Sequence, residues 1–237
     1  MPRAQITLFL IVGFLILIVS AVLMSRRAPS PMQPQLSSLS AQVQPFVQDC
    51  LQKSLDEGVE YVANHGGYYH VYKALHSYEG RVPYYRVGSD VFIPQIGQVE
   101  QEIATYVGDA VWLCLDDFES FKGLGVRVEY ENITVRVGIR DAEVGSRLVM
   151  PTRITKGSQE ATIKDFLINM PSSLKRMYTV AAQVAQSPDS IPLTRFDDLL
   201  RSNAFRSDTL VDNDTVIYTI KDDKITYAFA AKYGWEQ

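Results

Sequence analysis

The hydrophobic residues of this chain are most concentrated at its N-terminus, where residues 4–24 contain no charged side chain. A helix of this length spans about 31 Å, which matches the hydrocarbon core of a bilayer, about 30 Å thick. Peptide groups inside lipid must pair within their own segment, so residues 1–24 are predicted to form an N-terminal transmembrane anchor. The alternative is a cleaved secretory signal, but the apolar region of such a signal is usually about 7–15 residues long.

A proline- and serine-rich segment separates the anchor from the rest of the chain. Pro29, Pro31 and Pro34 cannot continue a helix, and they favour extended backbone. Residues 25–39 are therefore predicted to be a linker. Residues 40–237 are predicted to form one soluble domain.

Two long segments of this domain carry apolar residues at every third or fourth position, the pattern of a helix with one buried face. The first covers residues 40–64 and is followed by Gly66 and Gly67, which are typical of a helix end. The second covers residues 94–122. Each helix therefore has an apolar face that needs a partner surface.

The second helix has a polar side as well, on which Glu100, Glu102 and Asp109 are expected to face solvent. Two shorter amphipathic segments, residues 172–187 and 194–204, predict further helices near the end of the domain. The domain is therefore expected to contain four helices beyond the anchor.

Between and after these helices the pattern changes to an alternation of apolar and polar residues, which is typical of strands with one buried face. Residues 68–94 show neither pattern and are predicted to be rich in loops. Together, the predicted helices and strands indicate an α+β fold, with amphipathic helices packed on an antiparallel β-meander and a C-terminal hairpin. The predicted strands cover residues 126–139 (two strands joined by a turn), 147–155, 162–170, 215–220 and 225–230.

The composition and net charge of the chain limit the kinds of partner that it is expected to bind. Hydrophobic residues make up 46% and charged residues 21% of the chain, enough apolar material for a folded core. The net charge of -4 offers no basic surface, so nucleic acid is excluded as a predicted partner. The lipid bilayer is the partner that the anchor implies.

The chain has two cysteines, Cys50 and Cys114, and both fall on apolar faces of predicted helices. A disulfide between facing helices is predicted, with two buried free thiols as the alternative. Basic residues lie on both sides of the anchor and leave its orientation undecided, but a disulfide favours a domain outside the cytoplasm. The sequons at Asn132 and Asn213 lie in turn-like segments and are candidate glycosylation sites.

No motif in the sequence indicates catalysis. His65, His70 and His76 lie within twelve residues, but their spacing fits no zinc template. The acidic pairs Asp116-Asp117 and Asp222-Asp223 are expected to be solvated. We therefore predict no catalytic residues, no metal site and no cofactor.

A second cluster in the same stretch consists of tyrosines. Tyrosine combines a large apolar contact area with a polar tip, which suits a surface that binds a protein or a glycan. The alternative is a loop that packs onto the helices. The tyrosines predicted to form a partner surface are Tyr68, Tyr69, Tyr72, Tyr78, Tyr84 and Tyr85.

The first residues of the chain resemble the archaeal class III, or prepilin-type, signal, in which a basic and a small residue precede an apolar helix. Here Arg3, Ala4 and Gln5 occupy those positions. The resemblance implies cleavage between Ala4 and Gln5 and assembly through the apolar helix. The chain departs from pilins in having Phe9 where the glutamate is expected, and in the prolines that interrupt the helix.

Other elements are similar to uncharacterised archaeal surface proteins with an N-terminal membrane anchor. The similarity lies in residues 46–51, 66–68, 114–118 and 227–230. It implies no activity. The leading hypothesis is a non-enzymatic structural or binding protein, anchored in the plasma membrane by one span, with its C-terminal domain extracytoplasmic and homo-oligomers as an option. The alternatives are a pilin-like filament subunit and an anchored hydrolase.

Overall fold

A computed structural model describes residues 39–74, 76–187 and 193–233 of the chain. The predicted anchor, with the cleavage position at Ala4 and Gln5, lies outside the described residues, as does nearly all of the predicted linker. In the part of the chain that is described, no helix is both long enough and apolar enough to cross a membrane.

The domain has the predicted α+β character, with five helices in the described residues. Single turns of 3-10 helix occur at Val71–Lys73 and Asp116–Phe118. The helices are α1 (Ser40–Asn64), α2 (Ile96–Leu115), α3 (Glu119–Lys122), α4 (Leu174–Gln186) and α5 (Leu193–Ser202).

Ten strands form two sheets, which are antiparallel except for one pair. The larger sheet has the order β1-β2-β10-β9-β8, with β3 beside β2, and β2 runs parallel to β10. In the smaller sheet the long strand β6 pairs with β4 and β5 along one edge and with β7 along the other. The strands are β1 (Ser77–Tyr78), β2 (Val82–Val87), β3 (Asp90–Val91), β4 (Arg127–Tyr130), β5 (Thr134–Ile139), β6 (Glu143–Lys156), β7 (Gln159–Pro171), β8 (Arg206–Asp212), β9 (Thr215–Lys221) and β10 (Thr226–Lys232).

The two long helices pack against each other, as their apolar faces predict. α1 also contacts β7 and β10, so it lies against both sheets, while α2 covers β5. The predicted disulfide between Cys50 of α1 and Cys114 of α2 is confirmed, with sulfur atoms 2.02 Å apart and Cα atoms 5.7 Å apart. This bond joins the two helices that carry the candidate site described below.

The prediction that residues 68–94 are mainly loop is wrong for Val82–Val87, which form β2. This strand contains Pro83, which sequence patterns count against a strand, and it pairs with β10 far along the chain. Parallel pairing to a distant strand leaves no local turn signal. The strand β8 was also not predicted, because its side chains are mostly exposed and do not alternate.

The second predicted helix is interrupted. α2 ends at Leu115, and Asp116, Asp117 and Phe118 follow with positive φ angles of 43°, 47° and 54° before α3 begins. Left-handed backbone is unusual for residues other than glycine. The side chain of Phe118 is 1% exposed and contacts the ring of Phe46, so burial of this ring stabilises the turn.

Candidate functional site

The most extended group of exposed aromatic side chains lies where the C-terminal half of α1 meets the middle of α2. Its rings contact one another in a continuous series, from Tyr61 to Tyr69 and Tyr106 and onward through His70 to Tyr72. Neighbouring ring centroids are 4.1 to 5.8 Å apart, within the usual range for aromatic pairs. This aromatic cluster consists of Tyr61, His65, Tyr69, His70, Tyr72 and Tyr106.

Close packing of the two helices positions the centre of the cluster. A Cβ atom on Gly58 of α1 would lie 2.9 Å from Cδ1 of Tyr106, closer than carbon atoms normally approach. The absence of a side chain at Gly58 therefore lets the ring of Tyr106 lie across α1. There it reaches Tyr61, one turn further along the same helix, at a centroid distance of 5.4 Å.

A buried carboxylate holds the loop that supplies the remaining rings. Glu102 of α2 accepts hydrogen bonds from the backbone N–H groups of Tyr69 (2.9 Å) and His70 (3.3 Å). Its other oxygen pairs with the ammonium group of Lys73 at 3.1 Å. The prediction that Glu102 faces solvent is wrong, since the residue is only 5% exposed. The rings are thus presented on backbone that is fixed to α2.

Two of the tyrosines offer large areas to solvent: Tyr72 is 78% exposed and Tyr61 is 39% exposed. Exposed aromatic side chains on well-ordered backbone recur in recognition surfaces, because they lose little conformational entropy when they bind. Neither Tyr61 nor Tyr72 belongs to the buried hydrophobic core.

Carboxylates surround the rings. Burial raises the pKa of the Tyr69 hydroxyl, and the negative charge of Asp109 raises it further. Burial likewise raises the pKa of Tyr106, with a further contribution from the charges of Glu57 and Glu60. Both hydroxyls therefore stay neutral at physiological pH in a negative local field.

The histidines take separate positions and roles. Nδ1 of His65 donates to the carbonyl oxygen of Tyr61 at 2.7 Å, and its ring stacks on that tyrosine at 4.2 Å. Nδ1 of His70 is buried without a hydrogen-bond partner in the described structure. His76 lies outside the cluster, against Phe92. Among the described residues, no group of histidine, cysteine and carboxylate side chains could hold a metal ion.

The structure distributes the six predicted surface tyrosines differently from the prediction. Tyr69 and Tyr72 belong to the aromatic cluster. Tyr68 and Tyr85 are 5% and 0% exposed, so the prediction is wrong for these two: they pack in the interior, as the alternative interpretation held. The sequence did not point to Tyr106, because it lies 34 residues or more from the other tyrosines of the cluster.

The other two predicted tyrosines lie on the larger sheet. The Tyr78 hydroxyl donates to Asp212 at 2.8 Å, and the Tyr84 hydroxyl bonds Thr215 at 3.0 Å. The bond to Asp212 raises the pKa of Tyr78 to about 12. These side chains therefore serve contacts within the domain.

A cavity of about 500 Å³ lies elsewhere, beside the turn between β9 and β10. Its most constrained polar group is Asp222, which accepts hydrogen bonds from the Ser173 hydroxyl and from the N–H groups of Lys224 and Ile225. Burial acts to raise the pKa of Asp222, but these bonds and Arg176 lower it below its ordinary value. The prediction that this acidic pair is merely solvated is thus wrong for Asp222, which fixes the turn to the start of α4.

The two sequons differ in their surroundings. Asn132 is exposed in the connection between β4 and β5, and its Thr134 is exposed as well. Asn213 is exposed in the tight turn between β8 and β9, with φ of 53°, but its Thr215 is buried and bonded to Tyr84. Glycosylation of either asparagine stays a prediction.

Comparison with models of protein families, with curated proteins and with solved structures gives no match to this chain.

Proposed function

We propose that this chain is a non-enzymatic binding protein of the cell surface, anchored in the plasma membrane by residues 1–24. In this proposal the disulfide-containing domain lies outside the cytoplasm and contacts a protein partner through the aromatic cluster. The observation that carries the proposal is the continuous series of aromatic rings, exposed at Tyr61 and Tyr72 and held in place by Glu102 and the packing at Gly58.

The position of the aromatic cluster along α1 supports the proposal. The chain enters the domain at Leu39, directly before α1, whereas Tyr61 lies about 31 Å further along the helix at 1.5 Å per residue. A domain tethered through the start of α1 has its aromatic cluster well removed from the point of attachment. The point of attachment and the aromatic cluster therefore lie towards opposite ends of α1.

The disulfide supports the proposed location. Disulfides persist in oxidising compartments and are rare in the reducing cytosol of most cells. The bond between Cys50 and Cys114 has ordinary geometry, with Cα atoms 5.7 Å apart, so the fold accommodates it without displacement of either helix.

The anchor and its orientation are tested on the full-length protein in its host membrane. We expect the protein to stay in the membrane fraction after an alkaline wash, and protease added to intact cells to remove the domain. Recovery in the aqueous fraction without detergent would contradict the anchor. Mass spectrometry of the mature N-terminus separates the alternatives, because a start at Gln5 favours the pilin-like subunit.

The contact surface is tested by site-specific photo-cross-linking in the same membranes. We expect a photoreactive phenylalanine analogue at Tyr72 to give a discrete protein adduct. The matched control is the analogue at Leu210 of β8, which is 60% exposed and carries no neighbouring aromatic cluster. Adducts of the same mass and yield at both positions would overturn the aromatic cluster as the contact surface.

A further inference from the structure

We infer that the aromatic cluster binds a cationic side chain, foremost an arginine, presented by the protein partner. This inference rests on the proposed function and names the chemistry of the partner. It follows from the arrangement of the rings and from the charges that surround them.

Three tyrosines form the centre of the binding surface. Tyr61 and Tyr106 have centroids 5.4 Å apart and an interplanar angle of 30°, while Tyr69 meets both nearly edge-on. A guanidinium or ammonium group is attracted to the negative face of an aromatic ring when it lies within about 6 Å of the centroid. His65 stacks on Tyr61 at 4.2 Å and covers one of its faces. The ring most open to a cation is therefore Tyr72, which is 78% exposed and continues the series through His70.

Three carboxylates give the centre of the cluster a negative charge. Asp109 lies one helical turn after Tyr106 on α2, and Glu57 lies one turn before Tyr61 on α1. Glu60 also acts electrostatically on Tyr106. All three carboxylates are exposed. They therefore remain able to pair with a group that approaches from solvent.

Two nearby lysines, Lys53 and Lys73, form their ion pairs with other carboxylates, and Glu57 has only a minor effect on Lys53. Lys53 pairs with Asp49 at 2.7 Å, and Lys73 pairs with the buried Glu102 at 3.1 Å. The surface thus attracts a cation through both its rings and its carboxylates, and it repels an anion. Arginine suits it better than lysine, because a planar guanidinium stacks on rings while it bonds a carboxylate with two parallel N–H groups.

The experiment uses the full-length protein in detergent micelles and fluorescent peptides of eight residues. The probes are octa-arginine, octa-lysine, octa-glutamate and a neutral glycine–serine peptide, and binding is measured by fluorescence anisotropy. We expect octa-arginine to bind most tightly, octa-lysine more weakly, and the other two without saturation.

Matched variants distinguish binding at the aromatic cluster from nonspecific attraction to the negative charge of the protein. The triple variant Glu57→Gln, Glu60→Gln, Asp109→Asn and the double variant Tyr61→Leu, Tyr72→Leu should each weaken octa-arginine binding about tenfold or more. The control triple variant Asp90→Asn, Glu129→Gln, Glu131→Gln removes three other exposed carboxylates and the same net charge. It should change the affinity by less than about threefold.

Equal losses in the two triple variants, or equal binding of octa-arginine and octa-glutamate, would overturn the inference. An absence of octa-arginine binding would also overturn it. If cross-linking at Tyr72 still gave a specific adduct in that case, the proposed function would stand and only the cationic partner would be wrong. If both experiments failed, the proposed function would fall as well.

Discussion

At the scale of single residues, the interior of the domain is unusual for its tyrosine hydroxyls. The Tyr85 hydroxyl donates to the carbonyl oxygen of Gly66 at 3.1 Å and accepts from Tyr227 at 2.5 Å. A second pair joins the hydroxyls of Tyr218 and Tyr233 at 2.9 Å. Each pair satisfies polar atoms that burial would otherwise leave without partners, a situation that costs about 1–3 kcal/mol.

These hydroxyls make the stability of the domain sensitive to alkaline pH. Burial, the first cause for each, raises the pKa of Tyr85, Tyr218 and Tyr227 above the ordinary value of 10.0. The folded state therefore favours the neutral form. The three neutral hydroxyls therefore contribute their full stabilisation below about pH 10. This contribution to the free energy of unfolding decreases as the pH rises further.

We expect absorbance at 295 nm to show two groups of tyrosines, with the exposed ones ionising first and the buried ones only as the domain unfolds. Circular dichroism, recorded in parallel, should change together with the second group. The variant Tyr218→Phe should reduce only the second step. Ionisation of all tyrosines before any loss of circular dichroism would contradict the assignment of these buried pairs.

Replacement of Glu102 by alanine should destabilise the domain by about 2–3 kcal/mol, because two partly buried N–H groups lose a charged acceptor. The matched control is Gln101→Ala, one residue earlier on the same helix and exposed. Its free energy of unfolding should change by less than about 0.5 kcal/mol. Equal effects in urea denaturation would show that Glu102 does not hold the loop.

The position of Glu102 also shows what sequence patterning misses at this scale. Its place on α2 predicts a solvent-facing carboxylate, but residues 68–73 cover it after folding. The amphipathic pattern of one helix predicts which of its faces is buried. It does not report that a loop from elsewhere in the chain supplies hydrogen bonds to a buried charge.

At the scale of elements, the contact between α1 and α2 depends on Gly58, where the side chains of Tyr106 and Val107 leave no room for another side chain. The same helix pair carries Gly97 at the start of α2, where an added Cβ atom would meet nothing within 4 Å. These two glycines provide a direct comparison, because alanine favours a helix over glycine by about 1 kcal/mol at either position.

We therefore expect the two Gly→Ala substitutions to change the free energy of unfolding in opposite directions. Gly97→Ala should stabilise the domain by up to about 1 kcal/mol. Gly58→Ala should destabilise it by about 1–2 kcal/mol, because the ring of Tyr106 must move away from α1. Thermal unfolding of both variants tests this, and stabilisation by Gly58→Ala would show that the helices separate easily at this point.

The boundaries of the helices were predictable to different degrees. α1 begins and ends at the predicted residues, since its apolar spacing is regular and two glycines with positive φ follow it. The end of α2 was not predictable, because Asp116, Asp117 and Phe118 carry no glycine signal for their left-handed turn. Burial of Phe118 determines that turn, and burial is a tertiary property.

At the scale of the whole molecule, the disulfide closes a loop across a sequence separation of 64 residues. The chain-entropy model gives a stabilisation of about 4 kcal/mol for a loop of this size, because the bond restricts the unfolded chain. The loop includes the tyrosine-rich segment, β2 and most of α2, so the bond constrains the elements that carry the aromatic cluster.

The double variant Cys50→Ala, Cys114→Ala should lower the free energy of unfolding by about 4 kcal/mol. The oxidised and reduced wild-type protein should differ by a similar amount, measured by urea denaturation with and without reductant. A control pair, Ser158→Ala and Thr162→Ala on exposed positions, should have little effect. Equal stability with and without the bond would show that the unfolded chain is already compact.

The sequence alone determined the class of the fold, the two long helices, most of the antiparallel strands and the cysteine pair. Each of these depends on local periodicity or on residues that lie on facing helices. The membrane anchor stays a prediction of the sequence, since it lies outside the described residues.

Only the tertiary structure decided the parallel pairing of β2 with β10 and the membership of the aromatic cluster. Both join residues that are distant in the chain, such as Tyr61 and Tyr106. Tyr85 and Tyr72 look equivalent in sequence, yet one is fully buried and the other is 78% exposed. Packing between elements makes that difference, because exposure depends on which surfaces meet after the chain has folded.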